Sequence, residues 1–302
     1  MNDNVVIKID NLTKDFGDNK GVFDLNLEIK KGEMVGFIGT NGSGKSTTIR
    51  CIVGFIQPNK GASYVLGMES WKHSSSFFKN IGYVPGEIAF PDLNSGTEFL
   101  KNQADFLKIK NFDYANKLIS ILKLDPRANL KRMSKGMKQK TALVAALMHD
   151  PEILILDEPT TGLDPLMRIN FMEVVKEEHK KGKTILMSSQ SFEELEESCD
   201  RVVFLLDGRI VSIASIDEIK NREEQEFKIE FINQEDYETF KGLDYKIIRD
   251  QPQYYQITVS IEKGRINNLM DDLKKYRLKF ISEIRYTLET HFKKIANIKE
   301  DN

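Results

Sequence analysis

Gly39-Thr40-Asn41-Gly42-Ser43-Gly44-Lys45-Ser46 fits G-x-x-x-x-G-K-S/T, the phosphate-cradling loop that marks a nucleoside triphosphate site. The flanks give the match its strength. Met34-Val35-Gly36-Phe37-Ile38 before it reads as a buried strand, and Thr47-Thr48-Ile49-Arg50-Cys51-Ile52 after it reads as a helix start. Glycines let the backbone approach an anion and adopt positive φ, so that successive N–H groups point at phosphates. The opening helix adds its positive dipole end, Lys45 adds a full charge, and the Ser46 hydroxyl falls where Mg²⁺ would sit. Gly39, Thr40, Asn41, Gly42, Ser43, Gly44, Lys45, Ser46 and Thr47 are therefore the candidate nucleotide contacts.

The rest of the chain is long enough for one large or two ordinary domains at 302 residues. Its 44 Lys plus Arg against 46 Asp plus Glu leave no basic field of the kind that nucleic acid attracts. Hydrophobic residues at 40% and charged residues at 30% suit a soluble globular protein, and no apolar run reaches the ~18 residues of a membrane helix. Met1-Asn2-Asp3-Asn4-Val5 lacks the basic-then-apolar plan of a signal peptide, so a cytosolic chain is expected. Cys51 and Cys199 sit in apolar helical contexts and read as reduced, buried thiols without zinc spacing.

Short apolar runs alternate with helical stretches over residues 5–217. Strands are expected at 35–38, 153–156, 184–187 and 202–206, and helices at 171–181 and 192–199. That alternation predicts an α/β domain with a mostly parallel sheet. The opening, Val5 to Ile9 and Phe23 to Ile29, alternates with period two as in an antiparallel edge sheet, while 95–124 reads as helices. A charge run, Lys220 to Glu226, reads as a solvated linker. Beyond it, strands at 227–231, 245–248, 254–260 and 280–284 are interleaved with helices near Tyr237, over 265–276 and after Leu288. The expected domains are 1–220, with a helical subdomain at about 95–150, and a small α+β accessory domain at 221–302.

Ile153-Leu154-Ile155-Leu156-Asp157-Glu158-Pro159 is a buried strand ending in two carboxylates. Ligands collect at the C-terminal ends of strands in open α/β sheets, so the pair can stand beside the phosphates. Asp157 would hold Mg²⁺ through water, because Mg²⁺ keeps much of its hydration. Glu158 would face the attacking water as general base. An ordinary strand stopped by an acidic turn would look the same in isolation; after a phosphate loop the chemical reading is the better one.

Asp157-Glu158-Pro159-Thr160-Thr161-Gly162-Leu163-Asp164 resembles the Walker B and D-loop of ABC-family ATPases, and Met133-Ser134-Lys135-Gly136-Met137-Lys138-Gln139-Lys140 resembles their Leu-Ser-Gly-Gly-Gln signature. Ser134 and Gly136 match; Met133, Lys135 and Met137 do not. A Ser and Gly opening a helix at 138–148 make a second phosphate-binding terminus, although Ser134 also reads as a plain N-cap. The resemblance spans about residues 5–217. It implies a P-loop ABC fold and a dimer that sandwiches ATP between the P-loop of one subunit and the Ser134–Gly136 signature of the other. It also makes Phe16 the aromatic stacked on adenine and adds Asp164 to the nucleotide site. The variant signature, and more weakly Tyr286-Thr287-Leu288-Glu289-Thr290-His291-Phe292, is similar to a bacterial branch exporting drugs, antimicrobial peptides or toxin peptides. In that branch the permease is a separate integral-membrane polypeptide, which places the ATPase peripherally on the inner face of the cell membrane.

Two positions depart from the family pattern. The Q-loop Gln expected after Ile81-Gly82-Tyr83-Val84-Pro85 is Gly86, followed by Glu87, either a metal ligand or a solvent-facing loop carboxylate. The switch His expected after Ile185-Leu186-Met187-Ser188-Ser189 is Gln190; His73, His149, His179 and His291 lie elsewhere and read as surface or structural. The leading expectation is an ATP-hydrolysing exporter subunit using Glu158, Lys45 and Gln190. A soluble ABC ATPase of translation or repair lacks support, because neither a second ATPase unit nor a coiled-coil insertion is visible. A nucleotide-gated resistance module with little turnover stays open at Gly86 and Gln190. A GTPase is disfavoured by the absence of Asn-Lys-x-Asp.

Overall fold

The computed structural model describes residues 4–296, so Met1 to Asp3, read above for a leader, lie outside the described residues. The chain divides between Ile216 and Asp217 into two compact units. In chain order the first contains β1 (Val5–Asp15), β2 (Gly21–Lys30), β3 (Met34–Ile38), α1 (Lys45–Ile52), β4 (Lys60–Val65), β5 (Met68–Glu69), α2 (Ser70–Phe77) and β6 (Ile81–Val84). There follow α3 (Gly96–Phe106), α4 (Asp113–Ile121), α5 (Lys135–Leu147), β7 (Ile153–Asp157), α6 (Pro165–Lys180), β8 (Thr184–Ser189), α7 (Phe192–Ser198), β9 (Arg201–Leu206) and β10 (Arg209–Ser215).

Two sheets result. The antiparallel one runs β2-β1-β4-β5, and the larger runs β10-β9-β3-β8-β7-β6. In the larger sheet every neighbouring pair from β9 to β6 is parallel, and only the edge strand β10 is antiparallel. This is the mostly parallel sheet with an antiparallel edge sheet that the alternation predicts. β3 and β7 are apolar almost throughout, β8 carries Ile185-Leu186-Met187 at its centre, and all three are wholly buried, as strands covered on both faces are. Phe37, Ile49, Phe77, Ile155, Leu186 and Val203 share one core, which locks α1 and the sheet together. The register sets the active level: Asp157 lies opposite Ser188, and Ile38 opposite Ser189. The ends of β3, β7 and β8 thus come out side by side.

Cys51 and Cys199 are buried free thiols, as expected, and burial pushes them up to about 11 and about 12. The helix after the signature begins at Lys135 rather than at residue 138, because Ser134 caps it directly, accepting from the Met137 N–H at 3.2 Å.

After α8 (Ile216–Lys220), the second unit contains β11 (Glu224–Phe231), α9 (Gln234–Lys241), β12 (Lys246–Gln251), β13 (Gln256–Glu262), α10 (Ile266–Leu273), β14 (Leu278–Ile284) and α11 (Leu288–Ile295). The sheet order β12-β13-β11-β14, all antiparallel, with a helix in each longer connection, makes a split β-α-β arrangement. Its core is Phe227, Ile229, Phe231, Tyr237, Phe240, Ile257, Val259 and Leu269. The linker expected over 220–226 is shorter, since Glu224 and Glu226 already pair with Glu262 and Ser260 in the sheet. A strand buried on one face has polar alternate positions, and a run such as Glu-Gln-Glu hides its start. Tyr254 also leaves its expected strand; it ends a 3₁₀ turn, and β13 begins at Gln256.

Candidate functional site

The loop from Gly39 to Gly44 leads out of β3 into α1, as the motif demands. Gly42 and Gly44 have φ of 83° and 103°, a region that a side chain disfavours, and Gly44 forms the N-cap of α1. A Cβ on Gly39 would meet the Leu205 carbonyl at 2.3 Å, so the loop also needs its absence there. The loop is braced by the turn between β9 and β10, where the Gly208 N–H donates to the Ser43 carbonyl at 3.2 Å.

An open cleft of about 700 Å³ lies over this loop, lined by Phe16, Asn41 to Thr47, Glu158 and the neighbouring Asn19, Lys20, Gly21, Asp207 and Gly208. Phe16 is 57% exposed at its rim, beside the phosphate cradle, with the Lys14 ammonium over its ring at 5.3 Å from the centre. Lys45 is 4% exposed; its ammonium donates to the Gly39 carbonyl at 2.8 Å and the Thr40 carbonyl at 3.2 Å. Burial holds it below the ordinary lysine range, opposed by the charges of Glu158 and Asp157.

Glu158 lies 3.8 Å from Lys45 and adopts φ 48°, a left-handed conformation uncommon outside glycine. The Gln190 amide donates to both of its carboxylate oxygens, at 2.9 and 2.8 Å. Ser188, wholly buried, serves both neighbours: its hydroxyl donates to Asp157 Oδ1 at 2.6 Å and accepts from the Glu158 N–H at 2.9 Å. Asp157 is also fully buried, and its Oδ2 has no hydrogen-bond partner. A Cβ on Gly86 would stand 3.1 Å from that same oxygen.

An unpartnered buried carboxylate oxygen beside a phosphate cradle fits a divalent cation, since an orphaned charge of this kind is otherwise costly. Among the described residues no three His, Cys, Asp or Glu side chains converge as metal ligands. Glu87 is exposed and stands outside the cleft lining.

Ser134 and Gly136 do not line the cleft either. Ser134 is exposed at the start of α5, and Gly136 packs on the turn after β7, where a Cβ would meet the Gly162 carbonyl at 2.7 Å. Asp164 is exposed and caps α6, accepting from the Met167 N–H at 3.0 Å. His149 and His179 contact the Ile81 and Gly32 carbonyls at 3.2 and 3.0 Å, His291 contacts Tyr286 at 3.1 Å, and His73 is exposed. None lines the cleft. Sequence reasoning missed Ser188 and Glu194, a buried carboxylate that takes hydrogen bonds from Ser189 and Thr160.

The ABC transporter family pattern matches residues 22–161. The bacitracin transport ATP-binding protein BcrA of Bacillus licheniformis is 34% identical over 232 residues, 74% of this chain and 75% of that protein. The chain belongs to the ATP-binding proteins of ABC transporters. Another similar member is the linearmycin resistance ATP-binding protein LnrL of Bacillus subtilis, 33% identical over 72% of this chain and 71% of its own length. A solved ATP-binding subunit of an ABC transporter, 29% identical, superposes with a TM-score of 0.64 over 71% of this chain and 92% of the other. The dimeric cassette MJ0796, at 23% identity and a TM-score of 0.63, has the same fold. The cleft over Lys45 lies within the matched residues 22–161 on its phosphate-loop side. No described helix is long and apolar enough to cross a membrane.

Proposed function

We propose that this chain is the ATP-hydrolysing subunit of an exporter: it dimerises on MgATP and drives a separate membrane permease that moves drugs or peptides. The observation behind this reading is the convergence on Glu158 at one end of the phosphate cradle, with Lys45 at 3.8 Å and the Gln190 amide at 2.9 and 2.8 Å from its two oxygens. Phosphoryl transfer asks mainly for positioning and charge stabilisation. Lys45 and the loop N–H groups supply the charge, and the Glu158 carboxylate supplies the acceptor for the proton of an attacking water. Gln190 orients that carboxylate but takes no proton, because an amide nitrogen is a donor only. Asp157 and Ser46 would hold Mg²⁺, which supplies charge neutralisation at the phosphates. Phe16 would stack on adenine.

The dimer follows from the position of Ser134 and Gly136 outside their own chain's cleft, at a capped helix start open to a second subunit. Asp164 would approach the nucleotide from the same side. The transported class is read from relatives named for bacitracin transport and linearmycin resistance. Such an assembly works at the cytoplasmic face of the membrane, and the second unit, 221–302 in the sequence reading, serves assembly or regulation. Glu158→Gln keeps the side-chain shape and removes the base. Phosphate release should fall roughly 10²- to 10⁴-fold, and light scattering with MgATP should show a trapped dimer. Undiminished release from the variant would refute the assignment of the base.

A further inference from the structure

Gln190 and Glu158 sit at the ends of two different strands, so their 2.8 Å contact requires both chain ends to be held. Glu194, in the first turn of α7, is placed to do this. One of its carboxylate oxygens accepts from the Ser189 hydroxyl at 2.7 Å and from the Thr160 hydroxyl at 3.2 Å. Ser189 immediately precedes Gln190, and Thr160 follows Glu158 by two. The other oxygen forms an ion pair with Arg168 of α6 at 3.3 Å. Glu194 is buried, so its two bonds from the Ser189 and Thr160 hydroxyls are made away from bulk water, where a charged acceptor binds more strongly, while Arg168 stays half-exposed. The local chain is built around it: its N–H donates to the Ser191 cap, and the Ser191 N–H donates back to the Ser189 hydroxyl.

We infer that Glu194 is a positioning residue for hydrolysis, a carboxylate strut that fixes the loop of Gln190 against the turn after Glu158. It does not line the cleft over Lys45, and the inference rests on the reading of Glu158 as base. Misplacing a catalytic group by about 1 Å costs on the order of 10²-fold in rate. A strut acting through placement therefore affects turnover and spares ATP affinity, which resides in the loop around Lys45.

Three full-length proteins are compared: parent, Glu194→Ala and Glu194→Gln. Alanine should lower phosphate release at saturating MgATP at least about tenfold, with the calorimetric MgATP dissociation constant within about threefold. Glutamine keeps one oxygen acceptor for the two hydroxyls and should restore most of the turnover. The second readout needs no catalysis. The Thr161 and Leu163 N–H groups bond to the Glu158 and Thr160 carbonyls, each at 3.1 Å. In nucleotide-free Glu194→Ala these amides should exchange about tenfold faster, while those of β3 keep their protection. Unchanged turnover, affinity and turnover falling in equal proportion, no rescue by glutamine, or unchanged exchange would each overturn the strut. A parent protein that releases no phosphate would instead overturn the reading of Glu158, and the exchange comparison would decide the strut by itself.

Discussion

Ser188→Ala removes a single oxygen from the centre of the site. That oxygen gives Asp157 its 2.6 Å hydrogen bond and accepts the Glu158 N–H at 2.9 Å, in a place with no solvent. A hydrogen bond to a charged group is worth about 1.5–3 kcal/mol, and an orphaned buried N–H costs about 1–3 kcal/mol more. Asp157 would then have both oxygens unpartnered, since Oδ2 already lacks a hydrogen-bond partner. Allowing for overlap between the two effects, the loss is about 3 kcal/mol. At about 2–4 °C per kcal/mol for a unit of this size, the nucleotide-free melting temperature should fall by about 6–12 °C. MgATP should return part of it, because a cation at Oδ2 compensates the bare carboxylate and ligand binding favours the native state. Differential scanning calorimetry with and without MgATP measures both numbers. A fall of less than about 2 °C in nucleotide-free protein would show that Ser188 is not what holds the two carboxylates.

Lys45→Ala should nearly abolish MgATP binding in calorimetric titration, and near-parental affinity in a folded variant would remove Lys45 from the site. Gln190→Ala should lower steady-state phosphate release clearly with ATP affinity little changed, and Gln190→His should retain or raise it; an alanine variant as fast as the parent would leave Gln190 without a catalytic part. Burial lowers His149 below its ordinary 6.5, against the opposing hydrogen bond to the Ile81 carbonyl. Between the two values the unfolded chain holds more protons, so stability falls as pH drops through 6.5. His149→Gln should flatten the melting temperature from pH 7 to 5, and an unchanged slope would acquit His149.

The phosphate loop and the Asp157-Glu158 pair were legible because each is a contiguous pattern with its own chemistry, flanked by strongly apolar strands. Ser188 was not, because its role exists only through the parallel register that sets it opposite Asp157, and pairing between strands 30 residues apart leaves no local mark. Glu194 was hidden in the same way: on a short acidic helix it reads as solvated, and only packing buries it. The start of β11 was lost for a different reason, since its first three residues, Glu224-Gln225-Glu226, are all polar. Gly86 was read as a missing side chain, whereas its backbone closes against Asp157, which is a property of space rather than of residue type.

The left-handed backbone at Glu158 has a consequence for how such a chain drifts. A residue with a Cβ held at φ 48° gives up of order 1–2 kcal/mol that glycine, and in part asparagine, would recover. With Glu158 read as the base, folding and catalysis pull this one position in opposite directions. In a population selected for abundance alone, with ATP turnover no longer required, position 158 is where glycine or asparagine should accumulate early. Catalysis would disappear from such lineages as a by-product of a better fold.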